Sequence, residues 1–481
     1  GTTASTHASG DRVQLVKRYA AQAAADILYD AIVNYTDLPA SYIDLTAWQL
    51  EDDTNLGTLY TFNLTEPMAV SAFCSRVLEQ CSGMMWDDQL AQQLRFRVIK
   101  AVPAAADVIS EANVINRTFE PTDQPEQQVS RCNLYFGPSD PTKRRDDLSN
   151  YRQVVKTPSE SVAAALEEIY GSQSPRTILA DGIAIGGGTV ATRVGNLLIG
   201  RKQRPPRRFK WSMLRGDNMP TLGGGYYLDW RSLQDASGLR ERVPVQIVSV
   251  KPGVIFQYVA EEMRFTDLDT GTSTTRVLLI NFEAYNINLR TIHDQIYPST
   301  FGTGVTVQFL ISSIIGSNSA SLPAVDVGSW PSGFVPSVVL SSRIQGAGGA
   351  GGPAGANGLP GGVALYTRAA INLTYTSGAI WGGGGGGAGS GGGQCGGGGA
   401  GRVPGAGGAG VFPGSAGTET AGGAGANPSG GGTGAGAGGG PGIAGTSSVI
   451  RSGGAAGAAI DGISYVTVVG AAGDRRGSQI N

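Results

Sequence analysis

Histidine is nearly missing from this chain of 481 residues. Only His7 and His293 are present, and the four cysteines (Cys74, Cys81, Cys132, Cys395) are scattered. Two histidines and isolated thiols cannot assemble a usual transition-metal site or a histidine-based catalytic triad. The same cysteines are too few and too far apart for a disulfide framework. Charged residues make up 15% of the chain, and the net charge of −2 gives no bulk attraction to nucleic acid or acidic lipid. No apolar run reaches the roughly 18 residues that would span a membrane, and no signal peptide is visible. The chain starts Gly-Thr-Thr without a methionine, which suggests processing, a tag or a piece of a larger polypeptide.

What the chain has instead is glycine. About two-thirds of its 75 glycines lie between Gly346 and Gly477, interrupted by single residues such as Trp381, Arg402, Phe412 and Glu419. Flexible linkers carry serine and charge rather than Ala, Pro, Trp and Phe. Ordering a glycine costs about 0.5–1 kcal/mol more than ordering an alanine. A folded segment of this composition therefore needs a backbone hydrogen-bond lattice that only residues without side chains can enter. Gly346, Gly349, Gly352, Gly355, Gly358 and Gly361 keep a strict period of three. That is the period of a threefold extended helix, and packed polyglycine-II-type rods fit better than collagen, because the phase breaks at Ala388, Cys395 and Arg402. The segments 341–348 and 377–384 match one another, each with an isoleucine before small residues, and 447–454 is a looser third copy.

Upstream, hydrophobic spacing predicts helices over 11–35, 66–84, 157–170 and 188–200. Cys74 and Cys81 both fall on the core side of the second of these. Strands are predicted over 94–102, 129–136, 243–250, 254–258, 274–282, 305–315 and 335–340. The expected fold class is α+β and mainly β. Small β-domains joined by helices come first (a hub), then a β-rich fibre segment, then a glycine-rich tip of packed polyglycine-II-type helices. The expected domains are 1–128, 129–270, 271–343 and 344–481. The β-runs of 271–343 have few helices to cover them, so a homotrimer is expected, with apolar faces buried against symmetry mates.

Three motifs invite chemistry and none carries it. Gly186–Ala191 follows an apolar run and opens a helix, as a dinucleotide fingerprint would, but the acidic partner is replaced by Arg207 and Arg208. The basic run from Arg201 to Lys210 reads as a helix end leading into a β-domain rather than a DNA contact. The neighbouring carboxylates Asp52–Asp53, Glu167–Glu168 and Glu261–Glu262 diverge on a helix or a strand, so they do not converge on a substrate. No catalytic residue, metal or cofactor is expected.

Arg131–Tyr135 with Asn150–Tyr151, the stretch Gln203–Trp211 and the turn Arg215–Asp217 resemble the tail-tip hub of long-tailed bacteriophages, often called tip attachment protein J, host specificity protein or central tail fibre protein. The segments 305–316, 330–331, 341–352, 364–366, 381–387 and 459–465 resemble glycine-rich tips of phage tail fibre proteins and adhesins. The resemblance implies a homotrimer at the distal end of the tail, in contact with other tail-tip and tail-tube proteins. Such a hub closes the tail tube, and it opens for DNA in transit once the tip has met an outer-membrane protein or polysaccharide. It supplies no catalytic residue to carry over. No fibronectin-like module separates hub from tip here, which implies a short fibre.

A glycine lattice has almost no side chains, so discrimination must come from turns between rods. The candidate receptor-binding residues are Arg402, Val403, Val411, Phe412, Thr418, Glu419, Thr420 and Asn427. Trp381, at the end of the repeated strand motif, is expected to pack. The alternative reading is a bacterial cell-surface or ice-binding glycine-rich protein with a globular head.

Overall fold

A computed structural model describes residues 16–88, 91–103, 105–158, 163–164, 167–168, 173–216, 219–234, 237–263, 275–427 and 434–481. The chain divides into two units, Gly1–Ser273 with Gln295–Pro298, and Thr274–Asp294 with Ser299–Asn481. The described residues are mainly β with few helices.

The helix expected over 11–35 forms only from Ala24 to Tyr35, and Lys17–Ala23 is a strand. That strand pairs antiparallel with Leu59–Leu64, and the pairing shifts register between Tyr19 and Gln22, where Ala21 takes a positive φ of 49°. Tyr19 is buried there and stacks on Phe73. Tertiary pairing has overridden a helical periodicity that runs straight through the junction. The helix over 66–84 appears as Val70–Cys81, with Cys74 and Cys81 both buried. Helix Leu45–Asn55 has no counterpart in the hydrophobic pattern; Asp44 caps it by accepting from the Ala47 amide at 3.1 Å. The expected helix over 157–170 falls mostly outside the described residues, while Thr157 itself closes the strand Tyr151–Thr157.

Three strands, Arg131–Pro138, Tyr151–Thr157 and Pro175–Ala180, make a small sheet. The helix Gly188–Lys202 packs against its first two strands. The Gly186 amide at the head of this helix donates to the Gln153 side chain at 2.9 Å, so the glycine motif serves a turn. A second sheet of six strands includes Arg207–Leu214, Gly225–Gln234, Arg240–Lys251 and Ile255–Glu262. Its core holds Phe209, Trp211, Leu228, Trp230, Val245 and Tyr258. Three cations of the basic run are consumed locally. Arg201 and Arg208 pair with Glu261 at 2.8 and 3.1 Å, and Arg207 pairs with Glu262 at 2.8 Å. The adjacent carboxylates Glu261 and Glu262 thus serve different cations and do not converge.

The second unit is a three-sided prism of parallel strands. One sheet stacks Thr275–Ile280, Thr306–Ile311, Ser337–Leu340, Ile371–Tyr375 and Val466–Val469. A second stacks Ala284–Tyr285, Ile315–Gly316, Arg343–Gln345, Ala379–Trp381 and Asp474–Arg476. The third stacks Ile287–Asn288, Val325–Asp326, Leu365–Tyr366, Ile460–Asp461 and Gln479–Ile480. Each coil of chain visits the three sheets in that order. Columns of side chains fill the interior: Leu278, Phe309, Val338 and Leu373 from one sheet, then Ile315, Ile344 and Ile380, then Val325, Leu365 and Ile460. All of these are fully buried.

The inward apolar columns of 275–343 are covered by coils of the same chain, so those columns do not themselves call for symmetry mates, while Tyr285, Leu322 and Val335 stay exposed on the outside. In the last coil the first column continues with Val468 beside Leu373, and the other two turn polar. Arg475 stands in register with Ile380 and Gln479 with Ile460, and the Arg475 guanidinium donates to Gln479 at 2.8 Å. Inward polar residues of this kind blunt a sheet edge against further pairing.

The repeat read in the sequence has a structural meaning for two of its copies. Ile344 and Ile380 are parallel partners in the second sheet. The third copy fails: 447–454 carries no strand, and Val449 and Ile450 are exposed. Ile380 is instead followed in its column by Arg475.

Candidate functional site at the outer turns of the glycine lattice

All the glycine rods leave the prism at one corner, between the second and third sheets. In the first coil Asn286 alone bridges that corner. Later coils insert 317–324, 346–364 and 382–459 there. The longest insertion runs out and back repeatedly, and its first segment lies at the centre of the lattice.

Residues 383–390 show why glycine is required. Their amides donate in rotation to three different neighbours. Gly383, Gly386 and Gly389 donate to Gly362, Leu359 and Ala356. Gly384, Gly387 and Ser390 donate to Ala400, Gly397 and Gln394, while Gly385 and Ala388 donate to Ile443 and Thr446. Their carbonyls accept from three further segments, through Gly349 and Gly352, Gly436 and Gly439, and Gly454 and Gly457. Distances run from 2.7 to 3.1 Å. One extended chain is thus bonded to six others with a three-residue repeat. At Gly383, Gly386 and Gly389 a side chain would collide with the carbonyls of Ala347, Ala350 and Pro353. Ala388 belongs to this same straight segment although the glycine phase breaks there.

At about 3.1 Å per residue, the segment from Gly382 to Ser390 carries the chain roughly 25 Å from the prism. Turns at 353–357, 390–394, 411–413 and 447–452 meet at that far end. The Phe412 amide donates to Gly393 and the Cys395 amide to Phe412, both at 3.0 Å. The Ser448 hydroxyl reaches the Gly389 carbonyl at 2.9 Å, and the Ser452 amide reaches Asn357 at 3.1 Å. The Ala426 amide donates to Cys395 at 2.9 Å, which brings the exposed Asn427 to the same end.

The candidates from the sequence therefore fall into two groups. Val411, Phe412 and Asn427 stand at the outer end. Arg402, Val403, Thr418, Glu419 and Thr420 stand at the prism end, where the rods turn back. Arg402 is ion-paired with Glu419 and with Glu283, and Glu419 also pairs with Arg343 at 2.6 Å. Gln345 on the second sheet donates to the Glu419 carbonyl at 2.6 Å. Trp381 packs as expected, between the guanidinium groups of Arg343 and Arg476 at 4.6 and 4.0 Å from its ring centre. Its indole N–H donates to Asp474 at 2.9 Å.

The outer end exposes a short apolar set. Val411 is 78% exposed, Phe412 46%, Val449 73% and Ile450 58%. Val449 and Ile450 were hidden in the sequence by the resemblance of 447–454 to the strand-end repeat. The missing signal was alternation: nothing before Val449 reads as a strand. Among the described residues no cluster of His, Cys, Asp or Glu could hold a metal ion.

Residues 275–480 match the family model of the phage tail fibre adhesin Gp38. No curated protein matches the chain. Among solved structures, the gp37–gp38 adhesin tip complex of the bacteriophage S16 long tail fibre is 27% identical, with 43% of this chain and 82% of that one covered and a TM-score of 0.35. The virion of a native gene transfer agent particle is 14% identical over 51% of this chain and 48% of that one, with a TM-score of 0.36. A prophage tail protein, gp18 from Listeria monocytogenes EGD-e, is 12% identical over 42% and 57%, with a TM-score of 0.25. The family match spans the prism and its glycine rods from end to end, so this part of the chain is similar to the phage tail fibre adhesin Gp38, which supports a place at the tail tip of the virion.

Proposed function

We propose that the chain recognises the bacterial surface through the outer turns of its glycine lattice, with Val411, Phe412, Asn427, Val449 and Ile450 as the contact set. One observation carries this reading. Separate turns of the chain converge at the end farthest from the prism, and their apolar side chains are exposed although the protein has a prism core to bury them in. Aromatic anchors dominate many interfaces, which puts Phe412 first. The rods that hold these turns have the threefold repeat and sixfold bonding of polyglycine-II packing. A turn can change its residues without entering that lattice.

The role is structural and adhesive, without chemistry. The first unit would join other tail-tip and tail-tube proteins, close the tube and open for DNA after attachment. The homotrimer that the resemblance implies would come from that assembly rather than from the prism. Static light scattering on the full chain tests it: one chain in solution would remove self-association as a property of this protein alone.

Adsorption tests the recognition itself. Phe412→Ala and Ile450→Ala virions should adsorb poorly to host cells while the protein melts as the parent does. Full adsorption by both variants would take the outer turns out of the site.

A further inference from the structure

The first unit contains a cleft of about 970 Å³ that the adhesive reading does not use. It lies between the hairpin of Gly83–Asp88 and Gln93–Val98 with helix Leu45–Asn55 on one side, and the six-stranded sheet on the other. Its size is at the upper end for ligand sites, which are mostly apolar with a few placed polar groups. The lining has that character. Trp48, Trp86, Phe96, Phe256 and Tyr258 contribute five aromatic rings.

Trp86 is the accessible ring, half-buried at the end of the hairpin. It passes over Gly223, where a Cβ would come within 2.9 Å of the indole. That glycine keeps a φ of +72°, and its amide is fixed by a bond of 2.8 Å to Ile247. The backbone therefore yields to the indole, which makes no hydrogen bond within the described residues. Trp48 and Tyr258, 2% and 1% exposed, form the deep wall. The Trp48 Nε1 and the Tyr258 hydroxyl have no hydrogen-bond partner among the described residues, and buried polar groups in that condition are few in native proteins.

The rim charges balance. Glu51, Asp87 and Asp88 face Arg95, Arg97 and Lys251. Glu51 is engaged by Lys100, and Asp88 stands 3.6 Å from Arg95. Asp87, Arg97 and Lys251 have no ion-pair partner within the described residues. Unpaired groups of both signs around aromatic faces disfavour a strongly charged ligand. They suit one that offers flat C–H faces to rings and hydroxyls to carboxylate, guanidinium and ammonium groups at once.

We propose that this cleft is a second binding site, for a neutral oligosaccharide, with Trp86 as the stacking platform and Asp87, Arg97 and Lys251 as hydroxyl partners. The site is independent of the glycine lattice, so it holds or fails apart from the adhesive reading.

Tryptophan emission of the full chain, titrated with chitotriose, maltotriose and mannotriose, tests it. At least one of the three should give a saturable change. Trp86→Phe should keep that binding by calorimetry, while Trp86→Ala should weaken it at least about tenfold, a loss of about 1.4 kcal/mol. Asp87→Asn, at the open rim, should weaken binding with the melting temperature unchanged. A Phe412→Ala variant should bind the sugar as the parent does. A flat titration with all three sugars, or binding that survives Trp86→Ala in a folded protein, overturns the proposal. Displacement of bound sugar is not needed for a peptide to be the occupant: a tail-protein peptide bound at this cleft by the parent alone, with no sugar bound, would overturn it equally.

Discussion

Arg402 lies along Gly316. A Cβ on that glycine would collide with the arginine's Cβ and Cγ, so the second sheet leaves out a side chain where the glycine lattice sets one down. The guanidinium beyond it pairs with Glu283 and Glu419, and Glu419 pairs with Arg343. Residues distant in the chain thus join at the base of the rods. Arg402 is 16% exposed while Glu419 and Glu283 are 37% and 59% exposed, so the arginine's end of these pairs is the sheltered one.

The first prediction follows from that clamp. Arg402→Ala and Glu419→Ala should each destabilise the protein by about 1–3 kcal/mol. The double variant should cost less than their sum, because the two groups share one network. Thermal melts of the four proteins measure this. Adsorption by the variants while folded should match the parent, and a selective loss of adsorption would return Arg402 and Glu419 to the receptor site.

Glycine should be indispensable inside the rods and dispensable at their ends. Gly386→Ala pushes a methyl group into the Ala350 carbonyl, whereas Gly391 has nothing within 4 Å of its Cβ position. The first change should cost about 3 kcal/mol or more, or prevent folding. Gly391→Ala should melt within a degree or two of the parent. Equal melting temperatures would mean that the rods are not packed as described.

Among the outer turns, changes should separate binding from stability. Val411→Asn and Val449→Asn remove exposed apolar surface, so their effect on folding should be within about 0.5 kcal/mol. Adsorption rate constants measured beside melting curves should fall for these and stay unchanged for Val403→Asn, whose side chain sits at the prism end.

His293 supplies a pH dependence. It is fully buried beneath Phe301 and Trp330. Burial pushes its pKa down to about 4, against the opposing pull of Asp294, with Arg276 and Arg290 adding to the depression. The unfolded chain takes up the proton near pH 6.5, while the folded protein resists until about 4. Stability from this group is therefore complete above about pH 6.5 and declines as the pH falls toward 4. A His293→Gln variant should show a flatter decline in melting temperature across that interval. Identical slopes would place the effect on other groups.

Much of this architecture could be read from local pattern. Steric exclusion leaves its mark on composition: at Gly346, Gly349 and Gly352 a carbonyl sits in the place of Cβ and no other residue fits, whereas Gly355, in the same period of three, stands in a turn with open space about it. The burial of Cys74 and Cys81 was equally plain from their spacing. The prism was not visible. Strands of two or three residues such as Ala284–Tyr285 and Leu365–Tyr366 are too short to show alternation, and their partners lie up to 95 positions away, as for Leu365 and Ile460. The division of the candidate turns into inner and outer groups was likewise hidden. Arg402 and Phe412 each interrupt a glycine run, and only the direction of travel along the rods tells which end each one occupies. Lys17–Ala23 misled because an extended segment happened to continue the helical periodicity of the residues after it.

Because every insertion starts and finishes at the same corner of the prism, each must contain an even number of rods. The coil that inserts 346–364 makes one outward and one return pass, and 382–459 does the same several times over. A lineage can therefore lengthen or shorten this lattice by whole hairpins, but loss of a single rod would strand the chain at the outer end with the third sheet unreached. Viable length variants should differ by paired passes, and such parity would be visible in natural relatives as deletions of roughly 18–20 residues rather than half that length.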